Sequence, residues 1–435
     1  MERFWNIAAE TMGREQMIEM QLNKLKATVE NLYANVPHYR QKMMDKGMVP
    51  GDVKSLDDLH DLPFTVKQDL RDTYPFGMFA AHMNEVVRIH ASSGTTGKQT
   101  VVGYTRGDLD IWADCMARCL VMADADRTSR VQVAYGYGLF TGGLGVHYGA
   151  EKLGAITVPA SSGNTQRQIT MMLDFGITHL CCTPSYALYI AESLHEMGYG
   201  KDDIKLKAGC FGAEPWTEHM RREIENSLGL RAHDIYGLSE IMGPSVSQEC
   251  RYQKGLHIWE DYYIPEIIDP VTDKPLPEGE RGDLVITTIG KEGLPLIRYR
   301  TKDLCSLTFK RCECGRTHVR MSKPDGRTDD MLVIRGVNVF PTQIEAVLLS
   351  IGEASPHYQI IIERVGNLDS MTVEVEISER MFSDKIKGLE DLQSNISRQL
   401  DSILGISAKV RLVEPKSIAR SEGKAKRVID KRKED

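Results

Sequence analysis

The sequence contains no run approaching the roughly 18 apolar residues that a membrane-spanning helix needs, so an integral helical membrane protein is excluded. It also lacks a surplus of positive charge. Against 54 Lys and Arg stand 61 Asp and Glu, a formal net charge of −7, which argues against a general binder of nucleic acid or acidic membrane. The opening "MERFWNIAAE" has none of the basic-then-apolar order of a secretory signal, and nine cysteines, an odd number, do not make a disulfide framework. A soluble, cytoplasmic protein is the expectation. No internal repeat is visible, and only the charged end "IDKRKED" reads as a disordered tail. The remainder has an ordinary globular composition, 41% apolar and 26% charged, over a length of 435 residues that predicts more than one domain.

Periodicity divides the chain in two. "MIEMQLNKLKATVENLYANV" places Ile18, Leu22, Leu25, Val29 and Leu32 on one helical stripe that ends before Pro37. From Glu85 to about Tyr236, short apolar runs ("RVQVAYG", "AITVPA", "THLCCT", "LKAGCFG", "RAHDIYG") alternate with amphipathic stretches such as "DLDIWADCMARCLVMAD" and "TEHMRREIENSLG". Strands separated by helix-length segments predict a layered α/β sheet with parallel pairing. After "KPDGRTDD" a β-α-β-β-α-β order predicts a compact α+β unit of about 100 residues. The expected division is therefore a large domain over residues 1–328 and a small one over residues 329–435.

"SSGTTGKQT", after the strand-like "EVVRIHA", has the makings of an oxyanion cradle: glycines that let backbone N–H groups turn inward, hydroxyl donors and one ammonium. It is not a Walker A loop. The position six before Lys98 is Ser92 rather than glycine, and Gln99 follows the lysine where Ser or Thr is required. Further along come "FGAEPW", "DIYGLSE", "IRYRTKDL", "GRTDD" and "RSEGKAKR". In this order and spacing the set resembles the acyl-adenylate-forming superfamily of acyl-CoA synthetases, luciferases and peptide-synthetase adenylation domains. "AYGYGLFTGGLGVHYGAEKLGA", "GLHIWEDYYIPEIIDP" and "RGVNVFPTQIE" are similar to its phenylacetate-CoA ligase branch.

The resemblance implies an AMP-forming acid–thiol ligase: ATP with Mg²⁺ converts an arylacetate to an acyl-adenylate, and coenzyme A takes the acyl group. It assigns Ser92, Ser93, Gly94, Thr95, Thr96, Gly97 and Lys98 to the ATP phosphates. Gly212, Ala213, Glu214 and Pro215 go to adenine and the acyl region. Asp234, Tyr236, Gly237 and Ser239 complete the nucleotide site, and Glu240 holds Mg²⁺ and is catalytic. Asp303 takes the ribose hydroxyls and Arg327 ribose or phosphate. Asp329 becomes the hinge of a mobile small domain, and Lys424 the catalytic lysine. Tyr135, Phe140, Gly212, Ala213, Ile235 and Pro244 shape the acyl pocket. Ser239 replaces a commoner threonine, and Lys302 stands where many relatives have glycine. A homodimer is implied as well. Two other readings stay open: transfer to a carrier-protein thiol after activation of another aryl acid, and a non-enzymatic nucleotide-binding regulator whose basic C-terminus contacts nucleic acid.

One feature lies outside these motifs. Cys250, His257, Cys312 and Cys314 offer the Cys₃His donors of a structural Zn²⁺ site, although C-x₆-H plus C-x-C departs from the usual C-x₂-C pairs. Cys305 and His318 are alternative ligands.

Overall fold

The computed structural model describes residues 4–92, 99–328, 332–335, 337–351, 354–365, 368–377, 386–420 and 427–433. Helices α1 (Ile7–Glu10), α2 (Arg14–Asn35), α3 (Pro37–Asp45) and α4 (Lys67–Asp72) precede the main sheet. α2 buries Met17, Leu25, Val29 and Leu32, and stops where Pro37 opens α3. Ile18 is 43% exposed, because the buried stripe runs through its neighbour Met17 instead. Strands β1 (Arg88–Ser92) and β2 (Thr100–Tyr104) form a hairpin with Ser92 opposite Thr100.

Helix α5 (Arg106–Met122) starts at a capping box in which Thr105 and Asp108 satisfy each other's backbone N–H groups. The alternating section follows: β3 (Arg130–Val133), α6 (Thr141–Leu153), β4 (Ile156–Val158), α7 (Thr165–Phe175), β5 (His179–Cys182), α8 (Pro184–Glu196), β6 (Ala208–Gly212), α9 (Glu218–Leu228) and β7 (Arg231–Leu238). Then come β8 (Gly243–Glu249), β9 (Leu256–Ile258), a three-stranded antiparallel sheet of β10 (Tyr263–Ile268), β11 (Gly282–Thr288) and β12 (Tyr299–Cys305), and the short β13 (Leu307–Thr308) and β14 (Arg320–Met321). The nine-stranded sheet has the order β13-β14-β9-β8-β7-β6-β5-β3-β4.

The parallel expectation holds from β4 across to β7. From β7 onward neighbours are antiparallel, since β8 and β9 return through short connections that cannot make a parallel crossover. Two helices of this section, α6 and α7, were not among those the amphipathic pattern picks out. "TGGLGVHYGAEKL" is rich in glycine, a poor helix former. Packing explains α6: a Cβ on Gly145 would come within 2.6 Å of Trp112, and one on Gly149 within 2.4 Å of Met116, so these glycines let α6 lie against α5.

Past residue 331, β15 (Leu332–Ile334) and β16 (Val337–Val339) make a separate hairpin rather than joining the sheet. The sheet itself is formed by β17 (Ala354–Val365), β18 (Leu368–Ile377), β19 (Lys409–Val413) and β20 (Val428–Asp430), in the order β19-β18-β17-β20. Tyr358, Ile360 and Ile362 alternate with half-buried residues along β17, as do Met371, Val373 and Val375 along β18. They share a core with Ile344 and Leu348 of α10 (Pro341–Ser350) and Leu392, Ile396 and Leu400 of α11 (Ile386–Leu404). The charged end is not a disordered tail over Ile429–Lys433. Ile429 and Asp430 belong to β20, parallel to β17, and Arg432 pairs with Asp369 and Asp430 while Lys431 pairs with Glu363. Among the described residues no helix is long and apolar enough to cross a membrane.

Candidate active site

The carboxyl ends of β6 and β7 lie side by side, with Gly212 opposite Ile235. Side chains are barred where they meet: a Cβ on Gly212 would stand 2.0 Å from the Ile235 carbonyl oxygen, and one on Gly237 1.8 Å from that of Gly243. Ala213 follows with φ +72°, a left-handed conformation that costs a residue with a Cβ roughly 1 kcal/mol or more. β7 is also where the main sheet changes from parallel to antiparallel. Ligands of open α/β sheets bind at the carboxyl ends of strands near such switches.

Three of the expected nucleotide residues meet here directly. The Tyr236 hydroxyl donates to Asp303 Oδ2 at 2.5 Å, and Arg327 Nη1 donates to Asp303 Oδ1 at 3.3 Å. A backbone bridge joins Asp303 to Arg327, bringing β12 and the following loop against β7. Burial, and then the adjacent Asp303 carboxylate, push the Tyr236 phenol well above its ordinary range, so it stays a donor. Lys302 has φ +69°, so the left-handed conformation suited to glycine is kept with a lysine in place, its ammonium 3.6 Å from Asp283.

The next turn presents Ser239, whose Oγ lies 3.1 Å from Thr141 Oγ1, and the nearly buried Glu240, whose Oε1 is 3.5 Å from the Lys67 ammonium. Asp234, deeper on β7, is pushed up to about 7 by burial and by Glu249, against the pull of Lys323 at 3.8 Å. Glu214 accepts the backbone N–H of Ser185 at 2.8 Å, and Pro215 is exposed. The acyl-pocket residues are less uniform. Tyr135 and Ile235 belong to the main core, Phe140 is 44% exposed at the start of α6, and Pro244 lies beside Gly145. Ser92 ends β1. Ser93, Gly94, Thr95, Thr96, Gly97, Lys98, Asp329 and Lys424 lie outside the described residues.

Three backbone carbonyls of the Ser239 turn are held from below by groups the motifs do not contain. Tyr104 donates its hydroxyl to Ser239 O at 3.1 Å, and Lys291 donates to Glu240 O at 2.9 Å and Ile241 O at 2.7 Å. Burial draws the Lys291 ammonium down to about 8, against the opposing charges of Asp108 and Glu240. The only sequence signal for it was a lysine close to an apolar run, "GKEGLPLI".

A second cluster stands apart. Cys250, His257, Cys312 and Cys314 are all buried, with ligand atoms within 4.8 Å of one another; Cys305 and His318 are not in the group. His318 is engaged with backbone groups of Ala9, Ile258 and Glu260. Pairing of β14 with β9 places the Cys312–Cys314 turn over His257.

The AMP-binding enzyme family matches residues 21–290, and the AMP-binding enzyme C-terminal domain matches residues 336–432. The phenylacetate-coenzyme A ligase of Thermus thermophilus is 50% identical over 98% of this chain and 98% of its own length. That of Escherichia coli is 49% identical over 97% of each chain. The chain belongs to the phenylacetate-CoA ligase family. It is an AMP-forming CoA ligase with a large N-terminal and a smaller C-terminal domain. Among solved structures, 2-hydroxyisobutyryl-CoA ligase is 30% identical to this member of the family. In its postadenylation state it superposes with a TM-score of 0.93, covering 100% of this chain and 93% of its own. In its thioesterification state, with coenzyme A, the TM-score is 0.74 over 99% of this chain and 93% of its own.

Proposed function

We propose that this ligase activates phenylacetate or a related arylacetate, with ATP and Mg²⁺ in the first half-reaction and coenzyme A in the second. The observation that carries the reading is the joined Tyr236–Asp303–Arg327 corner at the end of β7, in a chain half identical to curated phenylacetate-CoA ligases along its length. Asp303, an acceptor-only carboxylate, suits the two ribose hydroxyls, and Arg327 beside it suits ribose or phosphate oxygen. The Tyr236 ring and the Gly212–Pro215 loop bound the adenine, and Asp234 completes that side. Ser239 and the Ser92–Lys98 loop take the phosphates. Tyr135, Phe140, Ile235 and Pro244 bound the acyl group.

Glu240 fits a hard cation: its carboxylate is nearly buried and already faces the positive charge of Lys67. Mg²⁺ held there would draw charge from the phosphate oxygens. A carboxylate oxygen of the acid attacks the α-phosphorus, the bond to the bridging oxygen breaks, and pyrophosphate leaves with its electron pair. Lys424 stabilises the charge that develops at the α-phosphate. In the second half-reaction the sulfur of coenzyme A adds to the acyl carbon, the bond to AMP breaks, and the thiol proton passes to water. No protein nucleophile takes part. The boundary at 328/329 makes Asp329 the hinge about which the small domain turns between the two steps.

The Cys₃His cluster fits Zn²⁺. Tetrahedral zinc with Zn–S near 2.3 Å and Zn–N near 2.0 Å requires S···S of about 3.8 Å and S···N of about 3.6 Å. Cys250 Sγ lies 3.7 Å from Cys312 Sγ, and Cys314 Sγ lies 3.5 Å from His257 Nε2. Its place away from the nucleotide corner makes the metal structural. A cytoplasmic homodimer is the location and assembly that accompany this reading.

The test is the Lys424→Ala variant. It should lose at least two orders of magnitude in phenylacetate-dependent ATP–pyrophosphate exchange and keep most of its thioester formation from supplied phenylacetyl-adenylate. Equal loss of both half-reactions would contradict the proposed division of labour.

A further inference from the structure

The two domains are tied together by a cluster of charges that, apart from Arg420 at the head of "RSEGKAKR", lies outside the motifs. Its centre is Glu192, on α8 of the large domain. Glu192 Oε1 lies 2.9 Å from Nε2 of His357 on β17, and its Oε2 accepts from Nε of Arg420 at 3.3 Å. The rest of the Arg420 fork is already committed within the small domain, where Nη1 and Nη2 each donate to a Glu376 oxygen at 2.7 Å. That bidentate grip fixes the plane of the guanidinium and aims its remaining N–H at the large domain. Burial disfavours ionised Glu192, but the hydrogen bond with His357 and the charges of His357 and Arg420 prevail and hold its carboxyl below the usual range. One helical turn on, Glu196 pairs with Lys416, and Leu349 of α10 sits in the apolar cluster of Tyr186, Trp216 and Met220.

These contacts belong to one relative placement of the domains. The arrangement superposes on the postadenylation state of 2-hydroxyisobutyryl-CoA ligase at a TM-score of 0.93, and on the thioesterification state of the same ligase at 0.74. A small domain that turns between these placements carries Arg420 and His357 with it and leaves Glu192 behind.

We propose that Glu192 is a positioning residue for the adenylation half-reaction, holding the small domain through Arg420 and His357 in the arrangement that serves that step. The proposal rests on the reading that Lys424, four residues after Arg420 in sequence, acts in that half-reaction. The pair is partly exposed, so its worth is modest; this suits a catch that must open once in every turnover.

The experiment compares Glu192→Gln, His357→Gln and Lys424→Ala with the parent chain in two assays: ATP–pyrophosphate exchange with phenylacetate, and thioester formation from supplied phenylacetyl-adenylate and coenzyme A. Glu192 is a half-exposed helix-surface residue, so thermal unfolding of Glu192→Gln should match the parent. Exchange should fall roughly fivefold in Glu192→Gln and less in His357→Gln, with thioester formation unchanged or faster. Loss of exchange in Lys424→Ala with none in Glu192→Gln overturns the latch alone. Equal loss of both half-reactions in Glu192→Gln also overturns it, because a merely structural residue would act that way. Equal loss in Lys424→Ala overturns the underlying reading and the latch with it.

Discussion

The nucleotide corner, at the carboxyl ends of β6 and β7, and the Cys₃His cluster, beside β8, β9 and β14, are made in opposite ways. At the corner the backbone is strained: Ala213 and Lys302 are left-handed, and Gly212 and Gly237 stand where no Cβ fits. Its polar groups are partly open, and one carboxyl, that of Asp234, is pushed up to about 7. The Cys₃His cluster is fully buried among short paired strands, with no substrate-sized opening implied by its four ligands. Strain and unsettled ionisation at the first, closure at the second, suit the proposed roles of a place where substrates are handled and a staple that holds two loops together.

Breaking the corner should have the largest effect. Asp303→Ala removes the acceptor shared by Tyr236 and Arg327, and kcat/KM for ATP should fall at least a hundredfold, while metal content and thermal unfolding stay near those of the parent. Breaking the cluster should do the reverse. Metal analysis should find one zinc per parent chain and none in Cys314→Ser, which should unfold on the order of 5–10 °C lower with KM for ATP unchanged in the folded protein.

The smallest effect concerns pH. Folding raises the Asp234 pKa from about 4 to about 7, so the stability this carboxyl contributes is complete below pH about 4 and is lost as pH rises through about 7. In the absence of nucleotide, Asp234→Asn should therefore gain on the parent progressively between those values, reaching its full gain by pH 8 in denaturant unfolding. A gain of the same size at pH 4 would mean that the carboxyl is not the cause.

Much of this could be read from the sequence because the chemistry is local. The motifs could be read in order along the chain, and their resemblance to the acyl-adenylate-forming superfamily assigned Tyr236, Asp303 and Arg327 to one expected site, where hydrogen bonds join them. The Cys₃His set was legible from residue type, and the structure separated it from Cys305 and His318. What escaped depends on partners distant in sequence. α6 is a helix because its glycines fit Trp112 and Met116, a fit that propensity does not report. β20 becomes a strand only because β17 is there to receive it, and Lys431 and Arg432 just after it find Glu363 and Asp369. Lys291 supports a turn that lies some fifty residues earlier in the chain. Glu192 is an unremarked helix-surface glutamate until a second domain is laid against it.

The most direct measurement of the central claim is ATP–pyrophosphate exchange with and without phenylacetate, followed by AMP release on adding free coenzyme A. The account predicts exchange that requires the acid and AMP release that requires coenzyme A. Absence of acid-dependent exchange with phenylacetate and with every other aryl or fatty acid tried would contradict it.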